Sequence, residues 1–187
     1  MAFPVVLDTC ALFPNYLRDS LLRLAVAGTY RPLWSHDILD ELQRNLAEFT
    51  AAEKAADVVA KMREHFEDAQ VFGYKPLVES MPNHPKDRHV LAAAVRANAS
   101  AVVTFNLRDF PAAQLRPFAV TAIHPDEFLL NQLGLAPGVV VATLVEQVKR
   151  YRRPPRDVLS LLTVLEASGV PAFAEEVRRH LPPHSRG

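Results

Sequence analysis

Short apolar runs alternate with longer segments of helical periodicity over the first two thirds of the chain. Residues 3–7, Phe-Pro-Val-Val-Leu, end at Asp8 and are typical of a buried parallel strand. Residues 101–105 and 118–121 are further apolar runs, and residues 32–34 form a shorter extended piece. Between these runs, apolar spacing and end signals predict helices at about 15–27, 35–49, 51–68 and 85–98. Strands that alternate with helices predict an α/β fold with a parallel sheet.

Polar residues and prolines mark where several of these helices begin. Ser35 is a good N-cap residue, and Thr50 is the predicted cap of the following helix. Pro85 suits the first turn of the helix that begins there. Residues 69–84 contain Gly73 and two prolines and are predicted to be mainly loop.

From Pro125 onward the pattern is helical only. Gly134, the Pro154-Pro155 pair and the segment 169–171 separate the predicted helices, which lie at about 126–133, 138–150, 156–168 and 172–181. This change in pattern predicts two parts, an α/β domain over residues 1–125 and an all-helical C-terminal extension over residues 126–187.

The composition indicates a folded protein of the cytoplasm. About half of the residues are hydrophobic (49%) and 22% are charged, which argues against disorder. No apolar run approaches the roughly 18 residues that a membrane helix needs, and the N-terminus lacks the basic region of a signal peptide. The single cysteine, Cys10, allows no intrachain disulfide, which fits a reducing compartment.

The total charge does not point to nucleic acid. Basic (Lys and Arg) and acidic (Asp and Glu) residues both number 21, whereas a protein that neutralises many phosphates is usually basic. Any function with nucleic acid therefore has to be argued from particular residues.

Two acidic residues follow predicted strands. Asp8 comes directly after the first strand, and Asp109 lies in the loop after the strand at 101–105, together with Asn106. Ligands bind beyond the carboxyl ends of parallel strands, so both residues are candidates for a site. The alternative is that they cap a helix or form a turn, as Asp and Asn often do.

Two further carboxylates lie on helices that face the same region. Glu41 flanks the apolar stripe of its helix beside Asn45, whereas Asp40 points to the opposite, solvent side. Asp87 lies in the first turn of the helix at 85–98, on the side of Leu91, which faces the sheet. The alternatives are a solvated carboxylate for Glu41 and a helix-end carboxylate for Asp87.

All four acids can meet at one edge of the sheet despite their separation in sequence. Clustered carboxylates raise one another's pKa unless a cation neutralises them. Carboxylate oxygens are the preferred ligands of Mg²⁺ and Mn²⁺. The four acids therefore predict a divalent cation site, with Asp8 and Asp87 as the preferred direct ligands.

Basic residues near the proposed cleft could contact the phosphates of a substrate. Lys86, Arg88 and Arg108 flank the acids, and solvated surface charge is the alternative for each. The densest basic run spans residues 150–156 and includes Tyr151; it could bind RNA or an acidic partner, or simply end a helix.

Other chemistries fit the sequence less well. His84, Asp87 and His89 could suggest zinc, but the two histidines are five residues apart across a helix start and do not share a face. A haloacid-dehalogenase nucleophile at Asp8 would usually be followed two positions later by a second Asp, and here that residue is Cys10. No G-x-S-x-G, P-loop or paired C-x-x-C motif occurs.

Four segments resemble the PIN-domain family, in particular the VapC-like toxin ribonucleases of bacterial type II toxin–antitoxin systems. The segments are VVLDTCAL around Asp8, SHDILDELQRNL around Glu41, HPKDRHVLAAAV around Asp87 and VVTFNLRDFP around Asp109, and the resemblance covers residues 4–124. It implies an α/β/α sandwich around a five-stranded parallel sheet, with these four acids as catalytic and metal-binding residues. The helical tail is similar to the extension of one bacterial branch of the family.

The resemblance also implies a substrate and partners. It implies an Mg²⁺- or Mn²⁺-dependent endoribonuclease that cuts RNA, a cognate antitoxin protein and a homodimer, with Thr9 and Thr104 as hydroxyl groups that support the site. Many relatives carry two acids in the last segment, and here Asn106 stands at the first of those places. This departure keeps open the alternative of a catalytically silent PIN scaffold that binds RNA or a partner protein.

Overall fold

A five-stranded parallel sheet organises the first part of the chain. The computed structural model describes residues 3–181, so residues 1–2 and 182–187 of the two predicted parts lie outside the described residues. The strand order is β3-β2-β1-β4-β5, and every neighbouring pair is parallel. The strands are β1 (Pro4–Leu7), β2 (Arg31–Ser35), β3 (Gln70–Val71), β4 (Ala101–Val103) and β5 (Thr121–Ile123).

Helices flank this sheet and make up the second part of the chain. The predicted alternation of strands and helices up to residue 123, and the all-helical pattern after it, are both present. The α-helices are α1 (Thr9–Leu12), α2 (Asn15–Val26), α3 (His36–Ala47), α4 (Ala52–His65), α5 (Arg88–Arg96), α6 (Ala112–Leu115), α7 (Pro125–Leu135), α8 (Pro137–Lys149), α9 (Val158–Ala167) and α10 (Pro171–His180).

The centre of the sheet is buried on both faces, which is why β1 is a continuous apolar run. Val5, Val6 and Leu7 are all fully buried, as are Val102 and Val103 of the neighbouring β4. In the register, Val6 lies between Leu33 of β2 and Val102 of β4. Because all strands run in the same direction, their carboxyl ends meet at one edge.

Three local predictions were wrong, and a fourth missed a short strand. The segment 118–121 was predicted as a strand, but residues 116–118 form a 3-10 turn, Ala119 has a left-handed backbone (φ 55°) and the strand begins at Thr121. Thr50 does not cap α4, whose N-cap residue is Ala51 without a side-chain bond. Gly134 does not separate two helices but lies inside α7, which ends where Pro137 disfavours helical backbone at the residue before it. The missed strand, β3, has only two residues, too few for periodicity to show.

The chain divides into two compact units that do not follow sequence order throughout. Residues 30–123 and the segment up to Phe13 form the α/β unit. Residues 14–29, which include α2, cluster with the residues from His124 onward in the helical unit. The division at residue 125 that the sequence predicted places α2 in the α/β domain, whereas its contacts in the structure place it in the helical unit.

The helical unit has its own core and its own polar contacts. Helix α2 contacts α8 and α9, and Leu17, Leu21 and Leu24 on its buried face are fully buried. The carboxylate of Asp126 accepts hydrogen bonds from the backbone N–H groups of Ala172 (3.0 Å) and Phe173 (2.7 Å), which satisfies the free donors at the start of α10.

The described residues include no single helix that is long and apolar enough to cross a membrane. By length and composition alone, only α7 and α8 taken together reach that threshold, and they are bent by 116°.

Candidate active site

Asp8 lies where the central strand of the sheet ends. Its backbone N–H continues the ladder by donating to the carbonyl of Val103 on β4 (3.1 Å), and the next residue begins α1. Its Oδ1 accepts from the N–H of Thr9 (2.7 Å), so the capping role that sequence analysis allowed is real. Only 3% of Asp8 is exposed, so a carboxylate is buried at the edge of the sheet.

The other oxygen of Asp8 is held by two side chains. Thr104 donates its hydroxyl to Oδ2 (2.7 Å), and the Cys10 thiol donates to the same atom (3.2 Å). The Cys10 sulfur in turn accepts from the N–H of Phe105 (3.2 Å), which joins the ends of β1 and β4. Burial, followed by the charge of Asp8, raises the pKa of the Cys10 thiol to about 12, so this thiol remains a protonated donor and is not a nucleophile.

Thr9 and Asn106 support the same corner. The Thr9 hydroxyl donates to the carbonyl of Ile38 (3.1 Å), which ties the end of β1 to α3. The backbone N–H of Asn106 donates to the Thr104 hydroxyl (3.0 Å), which fixes that hydroxyl as a donor toward Asp8. These contacts orient the carboxylate of Asp8 in one direction.

Asp87 is the second buried carboxylate and lacks the bonds of a capping residue. It is 6% exposed, stands directly before α5 and makes no side-chain bond to the helix end. Its Oδ2 has no hydrogen-bond partner among the described residues, and the nearest cationic candidate, His84 Nδ1, lies 3.7 Å away. Burial raises its pKa to about 6, and the charges of Asp8 and Asp109 contribute to the rise.

Glu41 reaches the same region from α3. Glu41, Asn45 and Glu48 line one cleft with Asp8 and Asp87, as their spacing along one helix face predicts. Glu41 Oε2 lies 3.7 Å from His89 Nε2. Asp40 points away from the cleft and pairs with His36 and Arg63.

Asp109 lies behind Asp87 and does not line the cleft. It forms a group with His84 and Asp87, in which one ligand atom of each residue lies within 4.8 Å of the others. Asp109 is therefore joined to the acidic cluster by its proximity to Asp87. Asn106 does line the cleft, although it carries no charge. The structure thus brings all four predicted acids together, three of them on the cleft and one in its wall.

The cleft has a volume of 410 Å³, which is in the range of small-ligand sites. Phe13 and Phe49 form an edge-to-face pair on its wall, with ring centroids 5.6 Å apart. Phe49, the last residue of the helix predicted at about 35–49, instead follows the end of α3 and is 77% exposed. The cleft therefore combines an acidic floor with an apolar rim.

The three predicted phosphate-binding cations are not equivalent. Lys86 is the only basic side chain among the described residues that line the cleft. Arg88 lies 3.9 Å from Glu79 and donates to the carbonyl of Asn83 (3.5 Å), and Arg108 is exposed and absent from the lining.

Comparison with known families agrees with this arrangement. The model of the PIN domain matches residues 4–108, more than half of the chain and including three of the four acids. The chain belongs to the PIN-domain family. Its five-stranded parallel sheet with flanking helices is the α/β/α arrangement that the resemblance implied.

A second family model and one relative also match this PIN-domain protein. The VapC50 C-terminal domain model matches residues 125–179, the helices that follow the sheet. A Mycobacterium tuberculosis (strain ATCC 25618 / H37Rv) protein named "Putative ribonuclease VapC50" is 47% identical over 114 residues, which are 61% of this chain and 67% of that protein. No solved structure matches the chain at a significant level.

Sequence analysis missed three neighbours of the acids. Cys10 was considered only as the single cysteine of the chain, but it is a hydrogen-bond donor to Asp8. His84 and His89 were considered only as a zinc pair, whereas each faces a different acid of this PIN domain, His84 toward Asp87 and His89 toward Glu41. The only sequence signal for these contacts was that His89 follows Asp87 by two residues. That spacing does not reveal that His89 faces Glu41.

The residues of the cleft fit a divalent cation. Asp8 and Asp87 present buried carboxylates, and burial followed by the charge of Asp8 raises the pKa of Asp87. The lining contains one compensating cation, Lys86. The partnerless Oδ2 of Asp87 is an oxygen ligand without a protein donor. An all-oxygen donor set of this kind suits Mg²⁺ or Mn²⁺ better than zinc.

Proposed function

We propose that this protein is a metal-dependent endoribonuclease, the toxin of a toxin–antitoxin pair, which hydrolyses internal phosphodiester bonds of RNA. The observation that carries the proposal is the pair of buried carboxylates, Asp8 and Asp87, whose mutual repulsion Lys86 offsets only in part. The PIN-domain family and the relative named as a ribonuclease supply the reaction class.

In this proposal, Asp8 and Asp87 hold Mg²⁺ or Mn²⁺ directly, while Glu41 and Asp109 act at its periphery. When bound, the metal ion lowers the pKa of water and stabilises charge on the phosphate and leaving oxygens. Thr104 and Cys10 orient the Asp8 carboxylate by donating hydrogen bonds to it. Asp109 acts through Asp87, beside which it lies.

Glu41 is the proposed group that handles the proton of the attacking water. It lines the cleft from the middle of α3, about a quarter of its side chain is exposed, and His89 Nε2 lies 3.7 Å from its Oε2. A carboxylate at that position can accept a hydrogen bond from water and orient it. The Phe13–Phe49 pair restricts the access of bulk water on one side.

The acid floor requires a local cation to hold the phosphate, and the proposal assigns this contact first to Lys86 rather than to Arg88 or Arg108. We expect Lys86→Gln to raise KM for RNA roughly fivefold, the effect of about 1 kcal/mol, with a smaller change in kcat. The measurement is steady-state cleavage at a pH well above 6, where loss of Lys86 does not leave Asp87 protonated.

Arg88→Gln is the matched control, since it removes a neighbouring positive charge that faces Glu79 outside the cleft. A rise in KM for Arg88→Gln as large as for Lys86→Gln would show that the phosphate contact is assigned to the wrong side chain.

The function is tested with purified protein and a labelled single-stranded RNA. We expect internal cleavage in Mg²⁺ or Mn²⁺, loss of cleavage in EDTA and recovery when the metal is added back in excess. A phosphatase would instead release phosphate from small monoesters and leave internal linkages intact. RNA binding without cleavage under all metal conditions would favour the silent scaffold that Asn106 keeps open.

The proposal also includes partners and a location. A toxin of this type is expected to bind a small antitoxin that covers or disrupts the cleft, and homodimerisation is expected by analogy with many relatives. A toxin that cleaves cellular RNA would act in the cytoplasm, and the single cysteine fits that reducing compartment. Co-expression with the neighbouring small open reading frame, followed by size-exclusion chromatography with light scattering, tests both partners.

A further inference from the structure

A loop of the helical unit displays four arginines within seven residues. The segment Arg150–Arg156, here called the arginine loop, joins α8 to α9 and carries Arg150, Arg152, Arg153 and Arg156. All four are exposed. In a chain whose net charge is zero, this is the largest local excess of positive charge along the sequence.

These arginines differ from the other cations of the helical unit. None of the four guanidinium groups lies within ion-pair distance of a carboxylate in the part of the chain that the structure describes. Glu146, near Arg150, is already paired with Lys149. By contrast, Arg23 pairs with Asp19, Arg178 with Glu166 and Glu175, and Arg179 with Glu175 and Glu176.

Polar and aromatic side-chain contacts hold the arginine loop in place, and the hydrogen bonds of Tyr151 are half-buried. Tyr16 donates its hydroxyl to the carbonyl of Pro154 (3.1 Å), and Tyr151 donates to Asp19 (2.6 Å). Gln147 donates to the Tyr151 hydroxyl (2.7 Å), and the rings of Tyr16 and Tyr151 pack edge to face. The backbone that carries the arginines is thus fixed, so little ordering is required when they bind a ligand.

Four like charges displayed on a fixed loop repel one another unless a polyanion neutralises them. The cleft of the α/β unit offers RNA little positive charge from its side chains, because four carboxylates (Asp8, Glu41, Glu48 and Asp87) line it and Lys86 is the one basic side chain among its described residues. We propose that the arginine loop binds the phosphate backbone of single-stranded RNA. This inference rests on the proposed function, to which it adds phosphate contacts beyond the one assigned to Lys86.

Phosphate fits these groups better than a protein carboxylate does. Arginine presents a planar fork of donors that matches phosphate oxygens, and its contacts to the backbone carry no sequence information. Binding should therefore be strong at low salt, independent of RNA sequence and steeply salt-dependent, since each neutralised phosphate releases counterions. An acidic protein partner is the competing occupant, which the experiment below includes.

The experiment compares two pairs of consecutive arginines in the helical unit, Arg152 and Arg153 in the arginine loop and Arg178 and Arg179 in α10. Fluorescein-labelled single-stranded RNA is titrated by anisotropy in EDTA with full-length Asp8→Asn protein, so that cleavage does not interfere. The loop variant adds Arg152→Gln and Arg153→Gln, and the control variant adds Arg178→Gln and Arg179→Gln, which removes the same charge from sites already paired with glutamates. Circular dichroism verifies that each variant is folded.

We expect the loop variant to raise Kd about tenfold near 0.1 M salt, and to reduce the slope of log K against log salt by about 1.4, or 0.7 for each lost phosphate contact. The control variant should bind nearly as the parent does. An equal loss of RNA affinity in both variants would show only a long-range effect of net charge and would overturn the proposal. An RNA affinity of the loop variant equal to that of the parent would overturn it as well.

Two further outcomes distinguish RNA binding by the arginine loop from binding of an acidic protein and from the nuclease activity of the cleft. If the loop variant binds RNA like the parent but loses affinity for poly-glutamate, the surface serves an acidic protein and the proposal is wrong. If loop-dependent RNA binding is found while wild-type protein with Mg²⁺ cleaves no RNA, the RNA surface stands and the nuclease assignment fails.

Discussion

Replacing Asp8 with Asn is expected to reduce the single-turnover rate of RNA cleavage by about a hundredfold or more while the protein remains folded. Loss of a group that merely orients a metal ligand costs about 10- to 100-fold, so loss of a direct ligand should cost at least as much. Asp8 is buried at the end of β1 and has one oxygen fixed by Thr104 and Cys10, so no neighbouring carboxylate can take its place without rearrangement.

The fold should tolerate this change. The amide oxygen of Asn can still accept from the N–H of Thr9, which preserves the cap of α1. The amide nitrogen would face Thr104 and Cys10, which would have to accept rather than donate, at a cost of about 1 kcal/mol. Removal of the negative charge beside Asp87 offsets this cost in the absence of metal.

The control for Asp8→Asn is Asp57→Asn, which makes the same chemical change at an exposed residue paired with Lys61 on α4. This variant should cleave at the wild-type rate. If folded Asp8→Asn protein cleaves RNA as fast as wild type in Mg²⁺, the assignment of the active site is wrong, whatever the metal content of the preparation.

The positions of Asp8 and Glu41 could be predicted because each depends on a regular element. Asp8 follows a run of buried β residues, so the strand end and the sheet edge follow from the local pattern. Glu41 and Asn45 are four residues apart on one helix, which places them on one face, and both line the cleft. The roles of these residues stay predictions.

The position of Asp109 could be predicted less well because it lies in a 3-10 turn. Periodicity says nothing about where such a turn points, and Asp109 faces Asp87 rather than the cleft. The contact of Cys10 with Thr104 joins residues 94 positions apart, and no local pattern encodes a pair at that separation. The fifth strand, β3, entered the prediction through the family resemblance, since two residues carry no period.

The assignment of α2 shows a different limit. Its amphipathic pattern predicts a helix over residues 15–27, and α2 spans Asn15–Val26. The pattern does not say which core its apolar face joins, because Leu17 and Leu21 would suit either unit. Only the three-dimensional contacts assign α2 to the helical unit.

The second large effect is expected from Asp87, in the stability of the metal-free protein. The pKa of Asp87 rises from 3.8 to about 6, mainly because the side chain is buried and also because of Asp8 and Asp109. The folded protein therefore binds more protons than the unfolded chain between about pH 4 and pH 6, so the free energy of unfolding falls as the pH rises through this window. In EDTA, the loss should approach about 3 kcal/mol at pH 7.

Asp87→Asn should remove this pH dependence. At pH 7 in EDTA, the variant should melt roughly 6 to 12 °C above wild type, the shift that about 3 kcal/mol produces in a chain of this size. Asp57→Asn, an exposed change of the same kind, should leave the wild-type profile in place. The measurement is the midpoint of thermal unfolding by circular dichroism from pH 4.5 to pH 7.5.

Mg²⁺ should reverse the order of thermal stability of wild type and Asp87→Asn. Mg²⁺ binds the ionised Asp87 and stabilises wild type at pH 7.5 by mass action, while Asp87→Asn gains little because it has lost a ligand. The same variant should cleave RNA at a small fraction of the wild-type rate, so it becomes more stable and less active through one change. The prediction is contradicted if the melting point of wild type in EDTA stays level or rises from pH 4.5 to pH 7.5, and if Mg²⁺ raises it no more than it raises that of Asp87→Asn. In that case these carboxylates do not form a strained anionic site.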